Sequence, residues 1–117
     1  MQSLALILLL GASPLECFEA HINRAAHEGG VGRVEVRVGL SRKYEAWVYP
    51  PHPVVWIDRD FLGWAPPDEL CRTAYHEVCH LWLKQHGQRD DDDHRDVKAC
   101  MRRLGAWRCI VLEKVYP

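Results

Sequence analysis

The chain is expected to fold as an α+β domain, and three observations point there. Two segments carry apolar residues at helical spacing: Leu15, Phe18, Ile22 and Ala25–Ala26 near the start, and Val97, Cys100, Met101 and Leu104 near the end. Between them lie three short runs rich in Val and aromatic residues, bounded by Gly, Ser and Pro. Residues 68–86 contain no Pro or Gly and are apolar nearly all round, which describes a buried helix. The expected order is an N-terminal helix, a small three-stranded twisted sheet, a buried central helix and a supporting C-terminal helix. With 117 residues there is room for one domain, spanning 1–117, and one modest core.

Residues 4–10 form a short apolar run followed by Gly11-Ala12-Ser13-Pro14. The run is too short to cross a membrane. No Lys or Arg precedes it, so a buried helix or strand is expected; a cleaved signal over residues 1–13 is the alternative. Pro14 suits a first helical turn, and Gly29-Gly30 suits its stop. His21 and His27 on this helix are expected at the surface or its boundary, since nothing near them completes a site.

Arg33-Val34-Glu35-Val36-Arg37-Val38 alternates strictly, as a strand with one wet face does. Ser41-Arg42-Lys43 is the expected turn, and residues 44–49 its hairpin partner. Pro50-Pro51-His52-Pro53 breaks that strand, with His52 a loop residue. Residues 54–57 are short and continuously apolar, a third strand expected at the sheet edge. Residues 58–64 read as a loop or a single turn.

Pro66-Pro67-Asp68-Glu69 opens the long helix, its acids placed where they favour the helix dipole. The core stripe falls on Leu70, Ala74, Val78, Leu81 and Gln85, flanked by Cys71 and Trp82. Gly87 ends the helix. The run of four Asp at 90–93 lacks the spaced ligands and Gly of an EF-hand loop, so it reads as a solvated loop. Asp92 or Asp93 is a natural cap for the next helix, opened by His94-Arg95-Asp96, and Gly105 its natural stop. Residues 106–116 are expected to pack back as a strand or irregular tail.

The net charge of −1 gives no global reason to expect nucleic acid or an anionic membrane as partner. Five cysteines, an odd number with no CxxC pair, argue against a disulfide framework and a zinc ribbon. They favour a reducing, cytoplasmic setting; the signal alternative would make the protein secreted.

The chemistry concentrates in His76-Glu77-Val78-Cys79-His80, an HExxH motif on the central helix. Positions i and i+4 lie on one helical face, about 6 Å apart along the axis. Two imidazoles so placed can share one metal ion. Glu77 can then reach a water on that ion, whose pKa zinc lowers to about 7, and act as general base and then acid. That is the chemistry of a zinc peptidase. A catalytic zinc needs a third protein ligand and an open position. His94, after a loop long enough to turn back, is the favoured candidate. His86 is an alternative, but on a continuous helix it points about 80° away from His76 and about 120° away from His80. Asp96 is another, since carboxylates also bind zinc. Cys79 faces the wrong side for joint ligation and reads as a small buried residue.

The stretch from Thr73 to Trp82, followed by a polar loop and by His94 opening an amphipathic helix, resembles the SprT/Spartan-like zinc metallopeptidases. Asp96-Val97 through Arg102-Arg103-Leu104-Gly105-Ala106-Trp107 is similar to small metallopeptidase-like proteins of phages and prophages. The resemblance covers residues 68–107, and HExxH is its specific part. It implies a minimal zincin fold, Zn²⁺ on His76, His80 and His94, Glu77 as catalytic residue, and a protein or peptide substrate. Two departures stand out. Cys100 occupies a place where the phage-type segment carries an aromatic. The zinc ribbon and basic tail of Spartan proteins are missing, so their DNA binding is not implied. A non-catalytic, zinc-stabilised binding or regulatory protein is the alternative.

Overall fold

Ser13 and Glu16 cap the first helix reciprocally. The Ser13 hydroxyl accepts from the Glu16 amide at 3.1 Å, and the Glu16 carboxylate accepts from the Ser13 amide at 3.3 Å. Helix α1 therefore starts at Pro14 and runs to Gly29; Gly30 closes it with φ +64, a left-handed conformation that glycine adopts without penalty. The computed structural model describes residues 13–88 and 94–115. The expectations for residues 4–10 and for the Asp run fall outside the described residues.

After α1 come β1 (Glu35–Gly39), β2 (Ala46–Val48), β3 (Val54–Asp58), the short α2 (Arg59–Trp64), the long α3 (Pro67–Gln85), α4 (Arg95–Leu104) and α5 (Arg108–Val115). This is the expected α+β order of helix, three-stranded sheet, long central helix and supporting helix α4, with α5 in addition and α1 packed along α3. No helix among the described residues is long and apolar enough to cross a membrane.

The hairpin expected between β1 and β2 does not form. The sheet order is β1-β3-β2: β3 pairs parallel to β1 and antiparallel to β2. Residues 54–57 are therefore the sheet centre, not its edge. Their continuous apolarity fits a central strand, whose side chains find cross-strand apolar partners on both neighbours, Val36 and Val48 beside Val55 and Trp47 beside Trp56. Val55 and Ile57 are fully buried, while Trp56 stacks on its cross-strand partner Trp47 at 6.0 Å on the outer face. Asp58 ends β3 and caps α2, where a loop or single turn was expected. Its carboxylate accepts from the amides of Ser41 and Phe61, and those two hydrogen bonds hold its pKa below the usual carboxylate value.

The core stripe of α3 is buried as expected at Leu70, Ala74, Val78 and Leu81. Gln85 is not part of it. It is exposed, and its amide donates to the Val31 carbonyl at 3.0 Å. His21 also departs from expectation. It is 2% exposed, with no hydrogen-bond partner for either ring nitrogen among the described residues. It shares α1's inner side with Phe18, Ile22 and Ala25, so the packing of that side on α3 carries it into the core. Burial, and then the charge of Arg24, push its pKa down to about 4.

The reading of the cysteines is overturned. Cys71 bonds to Cys109 and Cys79 to Cys100, with Cα separations of 5.4 and 5.8 Å. An odd total excludes only complete pairing. The fifth cysteine, Cys17, belongs to neither bond; burial, then the Glu16 charge, push its thiol pKa up. The bonds span 38 and 21 residues, worth about 4 and about 3 kcal/mol by loss of chain entropy in the unfolded state. The tail expected as strand or irregular chain is instead helix α5, held to α3 through Cys109.

Candidate metal centre

Helix α3 forms because residues 68–85 hold no helix breaker, with Pro67 in its first turn and Asp68 and Glu69 beside it. Its inner side packs on α1, α4 and α5. The side carrying His76 and His80 opens toward β2. One helical turn separates the two imidazoles, and their Nε2 atoms lie 3.1 Å apart. The edge of a tetrahedron with 2.0–2.1 Å zinc–nitrogen bonds is about 3.3 Å, so these two nitrogens already stand at a spacing a shared ion requires.

The third imidazole comes from a different element. His94 is the N-cap position of α4, and its ring centroid lies 5.0 Å from that of His76 and 5.4 Å from that of His80. Ligating atoms of the three residues all lie within 4.8 Å of one another. No other such group occurs among the described residues. His94 has φ +57, the one non-glycine residue in the left-handed region among those described. Its side chain makes no capping hydrogen bond. A left-handed non-glycine residue costs about 1–2 kcal/mol, and such strain persists where surrounding contacts fix the chain. Asp92 and Asp93, expected as caps, lie outside the described residues; the cap position itself belongs to His94.

The donor set fits a transition-metal ion. Three imidazoles are borderline ligands suited to zinc, copper, nickel or iron, and three protein ligands with an open position is the pattern of catalytic zinc. All three rings are half-buried and line a cleft of about 430 Å³, so a fourth position is reachable from solvent. The expected alternatives are not brought in. His86 stacks on Trp82 at 3.9 Å and donates through Nδ1 to the Trp82 carbonyl at 2.8 Å. Asp96 is half-buried on α4 but outside the group.

Glu77 is 6% exposed and sits where two cavities meet. The larger, 430 Å³, runs under edge strand β2 with Tyr44, Trp47, Val48 and Tyr49 along it. The smaller, about 280 Å³, is more polar, with Glu45, Arg72, Thr73 and Met101 in its wall; Arg72 is ion-paired with Asp68. Ala46, His76 and Glu77 line both.

Sequence reasoning missed the β2 wall, because it paired β2 with the wrong neighbour. It also missed the link behind the site. Cys79 does face away from the group, but it is bonded to Cys100 on α4. Cys79 lies on the buried helix and Cys100 on the apolar stripe of the amphipathic helix that follows it, which was the available signal. No protein family, curated protein or solved structure matches the chain.

Proposed function

We propose that the protein is a zinc-dependent metallopeptidase of minimal zincin type, with His76, His80 and His94 as ligands and Glu77 as the proton carrier. The observation that supports this most is the convergence of three imidazoles from two separate elements beside a nearly buried carboxylate, inside an open cleft. Zinc, when bound, supplies Lewis acidity toward a carbonyl oxygen and lowers the pKa of water to about 7. Glu77 takes the proton of the attacking water and returns it to the leaving amine. Its two neighbouring cavities give room to the chain on either side of the cleaved bond. Strand β2 pairs only with β3 among the described residues, so its other edge is open to an extended substrate by main-chain pairing. Two disulfides support an oxidising compartment over the cytoplasm.

The test is Glu77→Gln assayed on a library of unstructured fluorogenic peptides with zinc present. Hydrolysis should fall by about 10²–10⁴-fold while zinc affinity stays within about threefold of wild type. Undiminished hydrolysis removes Glu77 from its role. Stoichiometric zinc with no cleavage by the unaltered protein favours the non-catalytic, zinc-stabilised binding protein.

A further inference from the structure

We infer that the Cys79–Cys100 disulfide is the positioning element of the three-histidine site, so that tight metal binding requires this bond to be closed. The inference rests on the reading of His76, His80 and His94 as metal ligands. Cys79 lies inside the motif, immediately before His80. Cys100 lies on α4, six residues after His94, about 9 Å along the helix axis. The bond therefore joins the turn that carries His80 to the short helix whose first position is His94. Both cysteines are buried, at 0% and 3% exposed, so the link forms part of the α3–α4 packing.

His94 needs such a hold. Its left-handed backbone is one that an undocked chain seldom keeps, and no capping hydrogen bond from its own side chain secures it. Two ligands on one helix bind a metal weakly until the third is delivered to them. The second disulfide does not share this geometry. Cys71 lies five residues before His76, and Cys109 lies on α5, beyond the helix that delivers His94. Both bonds tie a helix to α3, but only one ties the ligands to each other.

The site would in consequence respond to redox conditions. A dithiol reductant that reaches the buried bond when the α3–α4 packing opens gives two protein thiols and closes itself to a disulfide. Two electrons and two protons pass to Cys79 and Cys100, and nothing else is consumed.

The experiment compares three full-length proteins: the unaltered chain, Cys79→Ser/Cys100→Ser and Cys71→Ser/Cys109→Ser. Zinc affinity is read by competition with a chromophoric chelator, and coordination by the visible absorption of the cobalt-substituted site. Loss of the Cys79–Cys100 bond should weaken zinc by about tenfold or more and change the cobalt spectrum, the size of effect seen when groups that orient a ligand are removed. Loss of the other bond should leave affinity within about threefold. Should the first variant fail to fold, the Cys71→Ser/Cys109→Ser protein retains the Cys79–Cys100 bond. A water-soluble phosphine reduces that bond, becoming phosphine oxide at the expense of one water; once thiol titration shows the bond open, zinc affinity should be about tenfold or more weaker, and unchanged affinity overturns the inference. Equal affinity in all three folded proteins, or equal loss in both variants, overturns the inference. Absence of zinc binding by the unaltered chain overturns the ligand assignment itself, and is distinguishable because no disulfide variant is involved.

Discussion

Helices α1 and α3 pack along each other, yet they treat histidine in opposite ways. On α3, His76 and His80 share an opening with His94, and three rings meet around one point. On α1, His21 is sealed from solvent with neither nitrogen hydrogen-bonded within the described chain. One arrangement makes imidazole lone pairs available to a common acceptor. The other holds an isolated ring in its neutral form, with a pKa near 4. Burial of a histidine is thus no indication of a site. What distinguishes a site is convergence from separate elements and access from a cleft.

The largest expected effect comes from breaking the convergent set. His80→Ala removes one of the paired nitrogens 3.1 Å apart and should lower zinc affinity by more than about 100-fold, beyond the range for losing an orienting partner. The same chelator competition measures it. Binding that survives within a few-fold would mean the group holds no metal.

The isolated ring should instead govern stability against pH. Its folded pKa lies below the ordinary imidazole value of 6.5, so the unfolded chain binds the proton more readily. Stability is fully present above pH 6.5, is lost as pH falls, and the loss saturates below about pH 4. The loss amounts to about 2 kcal/mol at pH 5 and approaches about 3 kcal/mol at its limit. His21→Leu should remove this slope and also stabilise the protein by about 1 kcal/mol at pH 7.5, where a buried polar ring without a partner is a cost. Urea unfolding at pH 7.5 and 5.0, in chelator so that metal binding does not contribute, reads both. An unchanged difference between the two pH values would assign the acid sensitivity elsewhere.

The difference between these regions also marks what a sequence can disclose. The pair His76 and His80 is legible because helical spacing is local. His94 is legible in outline, since a loop followed by a new helix can return to the same face. Strand order was not, because pairing is non-local; the signal lay in residues 54–57, whose unbroken apolarity marked a central strand. Cysteine parity was misleading because it says nothing about which helical faces meet. Helix α5 is instructive as well. Trp107, Ile110, Val111 and Val115 do fall at helical spacing, yet Trp107, Ile110 and Val111 are about half exposed or more. Among the α5 residues whose burial is described, Cys109 is the buried one, and its bond to Cys71 ties the helix to α3.

His86 belongs to neither class and gives the smallest effect. It follows His80 by six residues, a spacing that made it a candidate ligand, but α3 continues to Gln85 without bending. The ring is carried past the three-histidine group and comes to rest on Trp82, its Nδ1–H donated to the Trp82 carbonyl near the helix end. The same carbonyl also accepts from the His86 amide at 3.1 Å, so the ring adds a second hydrogen bond at the helix end. His86→Ala should therefore cost about 1 kcal/mol, the sum of an exposed ring stack and one hydrogen bond. Zinc affinity should stay at the wild-type value. A fall in affinity comparable with that of His80→Ala would show that the end of α3 unwinds to bring His86 onto the metal, and the distinction between a converging ring and a passing one would have to be redrawn.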